Sequence, residues 1–184
     1  GNVSSTNTDW TVVFLRRLGI QENYDAFLTR ANTYVKGAYD KNPSTGLSTN
    51  TPTEWHRLTM AVLAAGGDPT NVGGHDLIAD GTYNCLAGDP SNQGMNGAAG
   101  ALLALDSNGY EVPAGAEYTR EKLINDILKK EVPGGGWSMN DTARTLEVDI
   151  TAMVVYALAP HASENPDVQA ALDRALKVLR DEIS

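Results

Sequence analysis

The chain has 184 residues, 41% of them hydrophobic, and fourteen Lys and Arg against twenty-three Asp and Glu give a net charge of −9. That length suits one domain with a sizeable core. No basic run exceeds Arg16-Arg17 or Lys129-Lys130, so the phosphate attraction that drives nucleic-acid binding is missing and an anionic membrane surface is disfavoured. No apolar stretch approaches the roughly eighteen residues of a membrane span, and no leader-like segment precedes Asn2.

In chain order, the pattern predicts a first apolar helix from Asn7 to Leu18, closed by Gly19. A more amphipathic helix follows from Tyr24 to Lys36, with Tyr24, Phe27, Leu28, Tyr34 and Val35 at helical spacing. Thr51-Pro52-Thr53-Glu54 reads as a capping box with proline at the first helical position, and it opens a helix from Thr53 to Ala65 that Gly66 closes. His75 to Ala79 lies between Gly73-Gly74 and Gly81, which leaves room for a helix of about two turns at most. Gly94 to Leu105 is apolar or small nearly all round, as a helix buried on both sides should be, and Gly109 follows it. Thr119 to Lys130 is amphipathic again; a helix follows from Leu146, in which Ile150 to Ala159 is apolar or small nearly all round and is likewise expected to be buried on both sides; Asn165-Pro166 opens a last amphipathic helix from Val168 to Ile183. No run alternates apolar and polar residues between hairpin turns. The fold expected is all-α.

The four apolar helices are copies of one unit. Laying Thr53-Glu54-Trp55-His56 to Ala65 over Leu146-Glu147-Val148-Asp149 to Leu158 matches Glu to Glu, Met60 to Met153 and Ala64 to Ala157. Their starts are spaced at roughly forty to fifty residues, the mark of a helical repeat. Each apolar helix is followed by an amphipathic one, so four inner and outer pairs in concentric layers are predicted. The chain stops mid-repeat after Leu179 to Ser184, and it is expected to be a single domain that is a fragment of a longer chain.

The residues for familiar chemistry are sparse. His56, His75 and His161 share no ligand spacing and Cys85 is the lone cysteine, so neither a metal nor a cofactor is expected. Cys85 has no His or Asp partner signature and reads as a buried free thiol rather than a nucleophile.

Gly135-Gly136-Trp137-Ser138, Glu147 to Met153 and Tyr156-Ala157-Leu158 resemble the α/α-toroid superfamily of squalene and hopene cyclases, protein prenyltransferase β subunits and the helical domains of intrinsic factor and transcobalamin. The resemblance is strongest, over nearly the whole chain, to uncharacterised prenyltransferase-like domains of Gram-positive surface proteins. It implies inner helices around a central cavity, outer helices enclosing them, glycine-tryptophan turns between the layers, and a secreted or cell-surface location. This chain supplies about four pairs, a partial toroid.

Class II terpene cyclases of the superfamily carry an Asp-x-Asp-Asp-Thr-Ala motif whose middle acid protonates an alkene or epoxide. Here Glu147 stands first, Asp149 in the middle and Ile150 third, before Thr151-Ala152. An alkene-protonating acid must be held protonated and kept from water, and Ile150 removes part of its polar support. The prenyltransferase zinc site is not matched either, because Asp80 and Cys85 are wrongly spaced.

In the inner-helix register Asp149 aligns with Asn96, His56 and, more loosely, Asp9. These four residues, with Glu147 and Tyr156, are the candidate ligand-binding set. The competing structural reading is capping, since Asp9 falls in Thr6-x-x-Asp9 and Glu54 in Thr51-x-x-Glu54. The expected function is a non-catalytic toroid module that binds a small ligand, a glycan or a neighbouring domain, and that pairs with itself through the open toroid edge. The alternative is a terpenoid cyclase, prenyltransferase-like or polysaccharide lyase-like enzyme with Asp149 as acid.

Overall fold

The computed structural model describes residues 2–140 and 142–182. The described residues form seven α-helices: α1 Thr6–Arg17, α2 Tyr24–Lys41, α3 Pro52–Ala64, α4 Met95–Asp106, α5 Arg120–Leu128, α6 Val148–Leu158 and α7 Pro166–Glu182. Among the described residues there is no strand, only an isolated bridge between Val72 and His75, so the fold class is all-α.

Local chemistry fixes the helix ends. Ser5, Asn23 and Thr119 each accept a backbone N–H of the first turn of α1, α2 and α5, and the Asn165 side chain accepts from Asp167 and Val168 ahead of α7. Three apolar helices close in the same way. The Gly67 N–H donates to the Val62 carbonyl and Gly66 to Leu63, both at 2.9 Å. Ile20 and Gly19 repeat this on Leu15 and Arg16, and Tyr110 and Gly109 on Leu105 and Asp106. The paired bonds need a left-handed residue just past the helix, and Gly19, Gly66 and Gly109 stand there at φ of +72°, +89° and +62°. Helix α6 instead runs into a 3₁₀ turn, Ala159–His161, containing Pro160.

Four expectations need correction. The capping box at α3 does not form: the Thr51 side chain makes no cap bond, and Glu54 accepts instead from Ser4 Oγ at 2.6 Å and Tyr34 Oη at 2.7 Å. Helix α2 continues five residues beyond Lys36, through Gly37 to Lys41, held by the packing of Val35 and Tyr39 in the core. The short helix expected at His75 begins at Leu77 and widens into a π-helix over Ala79–Tyr83. Finally, α4 is buried almost all round, but α6 leaves Val148 and Tyr156 exposed. The end of the last helix, at Ile183, lies outside the described residues.

The apolar helices pack in chain order, α1 on α3, α3 on α4 and α4 on α6, while α5 lies against α4 and α7, and α7 against α6. Phe27, Ala31, Val35 and Tyr39 of α2 share a core with Val12 and Val13 of α1 and with Leu58, Ala61 and Val62 of α3. A second cluster joins Ala98 and Leu102 of α4, Ile124 and Ile127 of α5, Val154 and Leu158 of α6, and Val168, Ala171, Leu172 and Ala175 of α7. Helix α4 can sit between neighbours because its packed positions are small. A Cβ on Gly97 would stand 1.6 Å from the Pro90 carbonyl oxygen, and one on Gly100 2.8 Å from His56 Nδ1.

Trp137 is fully buried in the second cluster. Its indole N–H donates to the Ile127 carbonyl of α5 at 2.9 Å, and its backbone N–H to Thr151 Oγ1 of α6, also at 2.9 Å. The expectation that this ring staples an amphipathic helix to the next apolar one therefore holds.

Candidate ligand-binding site

The polar residues that share one step of the repeat occupy different environments. Asp9 is fully buried; its Oδ2 accepts from Arg57 Nε of α3 at 3.0 Å and its Oδ1 from the Ser4 N–H at 3.2 Å. Burial raises the Asp9 carboxyl above its ordinary value, and Arg57 pulls it back down. A charge removed from water is tolerable here because it is paired and hydrogen-bonded.

His56 is 1% exposed. Its Nε2 donates to the Gly81 carbonyl of the π-helical segment at 2.8 Å, which makes Nδ1 the bare acceptor of a neutral ring. Burial lowers its pKa to about 4. Nδ1 has no hydrogen-bond partner and points at Gly100 of α4; Thr59 Oγ1, one turn further along α3, is also buried without a partner.

Asn96, the second residue of α4, is half-buried. Asp149 is exposed near the start of α6. Glu147, just before that helix, ties down the preceding loop by accepting from Ser138 Oγ at 2.9 Å and the Met139 N–H at 2.6 Å. Asp9 and His56 thus each turn toward the next apolar helix in chain order, and Asp149 belongs to the last of the set. Asp9 keeps part of a capping role, since its Oδ1 accepts the Ser4 N–H just ahead of α1, while the N-cap itself is Ser5.

Tyr156 is 57% exposed, and its hydroxyl accepts from Arg17 of α1 at 3.3 Å. The first and last apolar helices are therefore within side-chain reach of each other, although α3 and α4 come between them in the packing order. Two exposed strips flank this contact. On α6 it is Asp149, Ala152 and Tyr156, at spacings of three and four residues, and on α1 it is Asn7, Thr11, Phe14 and Leu18. Phe14 and Leu18 are 59% and 74% exposed. A shallow, open depression runs along α1 over Thr6, Asn7, Trp10, Thr11 and Phe14.

Sequence reasoning did not find Arg17, Arg57 or Phe14. Arg57 pairs with a residue 48 positions away, and nothing local announces it. Phe14 sits among apolar neighbours that are buried, and only its place on the opposite face of α1 separates it from Val12 and Val13.

Cys85 is 2% exposed, and burial pushes its thiol up to about 12. A thiol held protonated is a poor nucleophile. No helix among the described residues is long and apolar enough to cross a membrane. No protein-family model, no curated protein and no solved structure matches the chain.

Proposed function

We propose that this chain is a non-catalytic binding module built as part of an α/α toroid, of the kind carried by secreted or cell-surface proteins of Gram-positive bacteria. The four apolar helices form its inner arc, and α2, the π-helical segment, α5 and α7 its outer layer. Its ligand or partner is met at the mouth between α1 and α6, by Asp149 and Tyr156 together with Asn96 and Glu147. Asp9 and His56 hold neighbouring inner helices together.

The observation that carries this reading is the exposure of Asp149. An acid that protonates an alkene needs a wall that excludes water and polar neighbours that sharpen its acidity. Asp149 has water on one side and Ile150 where a third acid would stand. The same exposure suits a residue that meets a partner, as does the solvent-facing position of Tyr156 beside Arg17.

Incubating the purified protein with squalene, its 2,3-epoxide and geranylgeranyl diphosphate tests the reading against the enzyme alternative. Unchanged substrate from both the wild type and Asp149→Asn is the expected result. A cyclised product that disappears in Asp149→Asn would overturn it.

A further inference from the structure

A small, half-open cavity of about 140 Å³ lies between α4, α5 and the 3₁₀ turn Pro90–Gln93. It shares no residue with the α1–α6 mouth. Its floor is apolar, made by the buried side chains of Ala98 and Leu123. Its rim carries charges of both signs, with Asp89 ahead of the 3₁₀ turn, Asp126 on α5, and Lys129 and Lys130 just past the end of α5. An apolar floor under a few convergent polar groups is the usual make-up of a small-molecule site.

One oxygen of Asp89 is engaged and the other is open. Its Oδ1 caps the 3₁₀ turn, accepting from the Ser91 N–H at 2.7 Å and from Ser91 Oγ at 2.6 Å. For Oδ2 the nearest donor among the described residues is Tyr118 Oη, at 3.5 Å. That hydroxyl has a single proton, and the closer Gly88 carbonyl takes it at 3.1 Å. Asp89 Oδ2 and a lone pair of Tyr118 Oη are therefore neighbouring acceptors, close enough for one ammonium to donate to both. Burial raises the Asp89 carboxyl, but its bonds from Ser91 and the charges of Lys122 and Lys130 bring it below its ordinary value, so it is ionised near neutral pH. On the lysine side, Asp126 is already paired with Lys122 at 2.6 Å, and Lys129 reaches it only at 3.6 Å, which leaves the Lys129 ammonium with donors for a carboxylate.

We infer that this cavity binds a small zwitterion, a free α-amino acid with a short aliphatic side chain. Its ammonium sits between Asp89 and Tyr118, its carboxylate meets Lys129, and its side chain rests on Ala98 and Leu123. The pairing of charges selects this class, because a simple anion would face Asp89 and a simple amine would face the lysines. Volume sets the size: at roughly 30 Å³ for each water-sized group the cavity takes about five, which suits alanine or valine and excludes a sugar or an aromatic amino acid. This site goes beyond the binding role of the α1–α6 mouth and does not depend on it.

The test titrates the whole chain with L-alanine and L-valine by isothermal calorimetry. Saturable binding of at least one, with Kd at or below about 1 mM, is expected. Propionate, which lacks the ammonium, and alanine methyl ester, which lacks the carboxylate charge, should each bind at least about tenfold more weakly. Asp89→Asn keeps the cap on Ser91, since asparagine opens a helix as well as aspartate does, and should weaken the amino acid about tenfold. Lys129→Met keeps the apolar stem, alters only the exposed end of α5, and should weaken it in the same direction; circular dichroism shows that both variants keep the fold. Absence of saturation at about 10 mM, propionate or the ester binding as tightly as alanine, or an affinity indifferent to Asp89→Asn would overturn the inference. So would amino-acid binding that is lost in Tyr156→Ala and kept in Asp89→Asn, since the ligand would then belong to the α1–α6 mouth.

Discussion

Trp137 and Thr151 are bonded to each other twice: the Trp137 N–H donates to Thr151 Oγ1 at 2.9 Å, and the Thr151 hydroxyl donates back to the Trp137 carbonyl at 3.0 Å. This pins the loop to α6 while the indole reaches Ile127 of α5. The approach is close because Gly135 and Gly136 have no side chains. A Cβ on Gly136 would stand 2.9 Å from Thr151 Oγ1, and one on Gly135 would meet the backbone of Arg174 in α7 at 3.0 Å.

Removing the ring leaves a large void in the second core cluster and takes away one of the donors to the Ile127 carbonyl, which still accepts the Lys130 N–H. Trp137→Ala should cost about 3 to 5 kcal/mol in a urea titration. A loss below about 1 kcal/mol would mean that the ring does not join the two layers.

The buried Asp9–Arg57 pair predicts an asymmetric response. Arg57→Ala strands a carboxylate with no exposure to water and should cost about 3 to 5 kcal/mol near neutral pH, shrinking as the pH is lowered and the carboxylate takes up a proton. Replacing both members, as in Asp9→Leu with Arg57→Met, should cost less than Arg57→Ala alone. Equal losses in the single and double variants would show that the pair is not a unit.

His56 makes stability depend on pH in a definite direction. Its ordinary value is 6.5 and burial lowers it to about 4 in the folded chain. Below 6.5 the unfolded chain binds a proton that the folded one refuses, so the stability contributed by a neutral His56 is complete above that pH and is lost as the pH falls toward 4. The loss amounts to about 3 kcal/mol. Unfolding free energies of the wild type and His56→Gln, compared from about pH 8 to about pH 4, should converge by that amount on acidification. Parallel curves would place the ring in contact with water.

The elements that were legible in the sequence are those governed by local rules. Gly19, Gly66 and Gly109 mark three helix ends because the left-handed position after a helix favours glycine, and Trp137 after three glycines marks a buried staple. What stayed hidden depends on partners far along the chain. Glu54 has the spacing of a capping box, yet Ser4 and Tyr34, fifty and twenty residues away, take its carboxylate. The π-helical turn at Ala79–Tyr83 packs Gly81 against Trp55, a contact no local pattern encodes. The candidate site was legible as a register and not as an environment. Asp9, His56 and Asp149 hold equivalent steps, but the first two are covered by the following helix and the third is not.

The claim most worth testing is that the mouth between α1 and α6 binds a ligand or partner through Asp149 and Tyr156. A thermal-shift screen of soluble oligosaccharides and small apolar ligands, run in parallel on the wild type, Asp149→Asn and Tyr156→Ala, addresses it directly. At about a hundredfold excess over Kd, a true ligand adds about 2.7 kcal/mol to the folded state. The account predicts at least one such stabilisation in the wild type, reduced or lost in both variants, whose own unliganded melting temperatures stay close to that of the wild type because both side chains face solvent. Stabilisation that survives in both variants, or none from any compound, would contradict it.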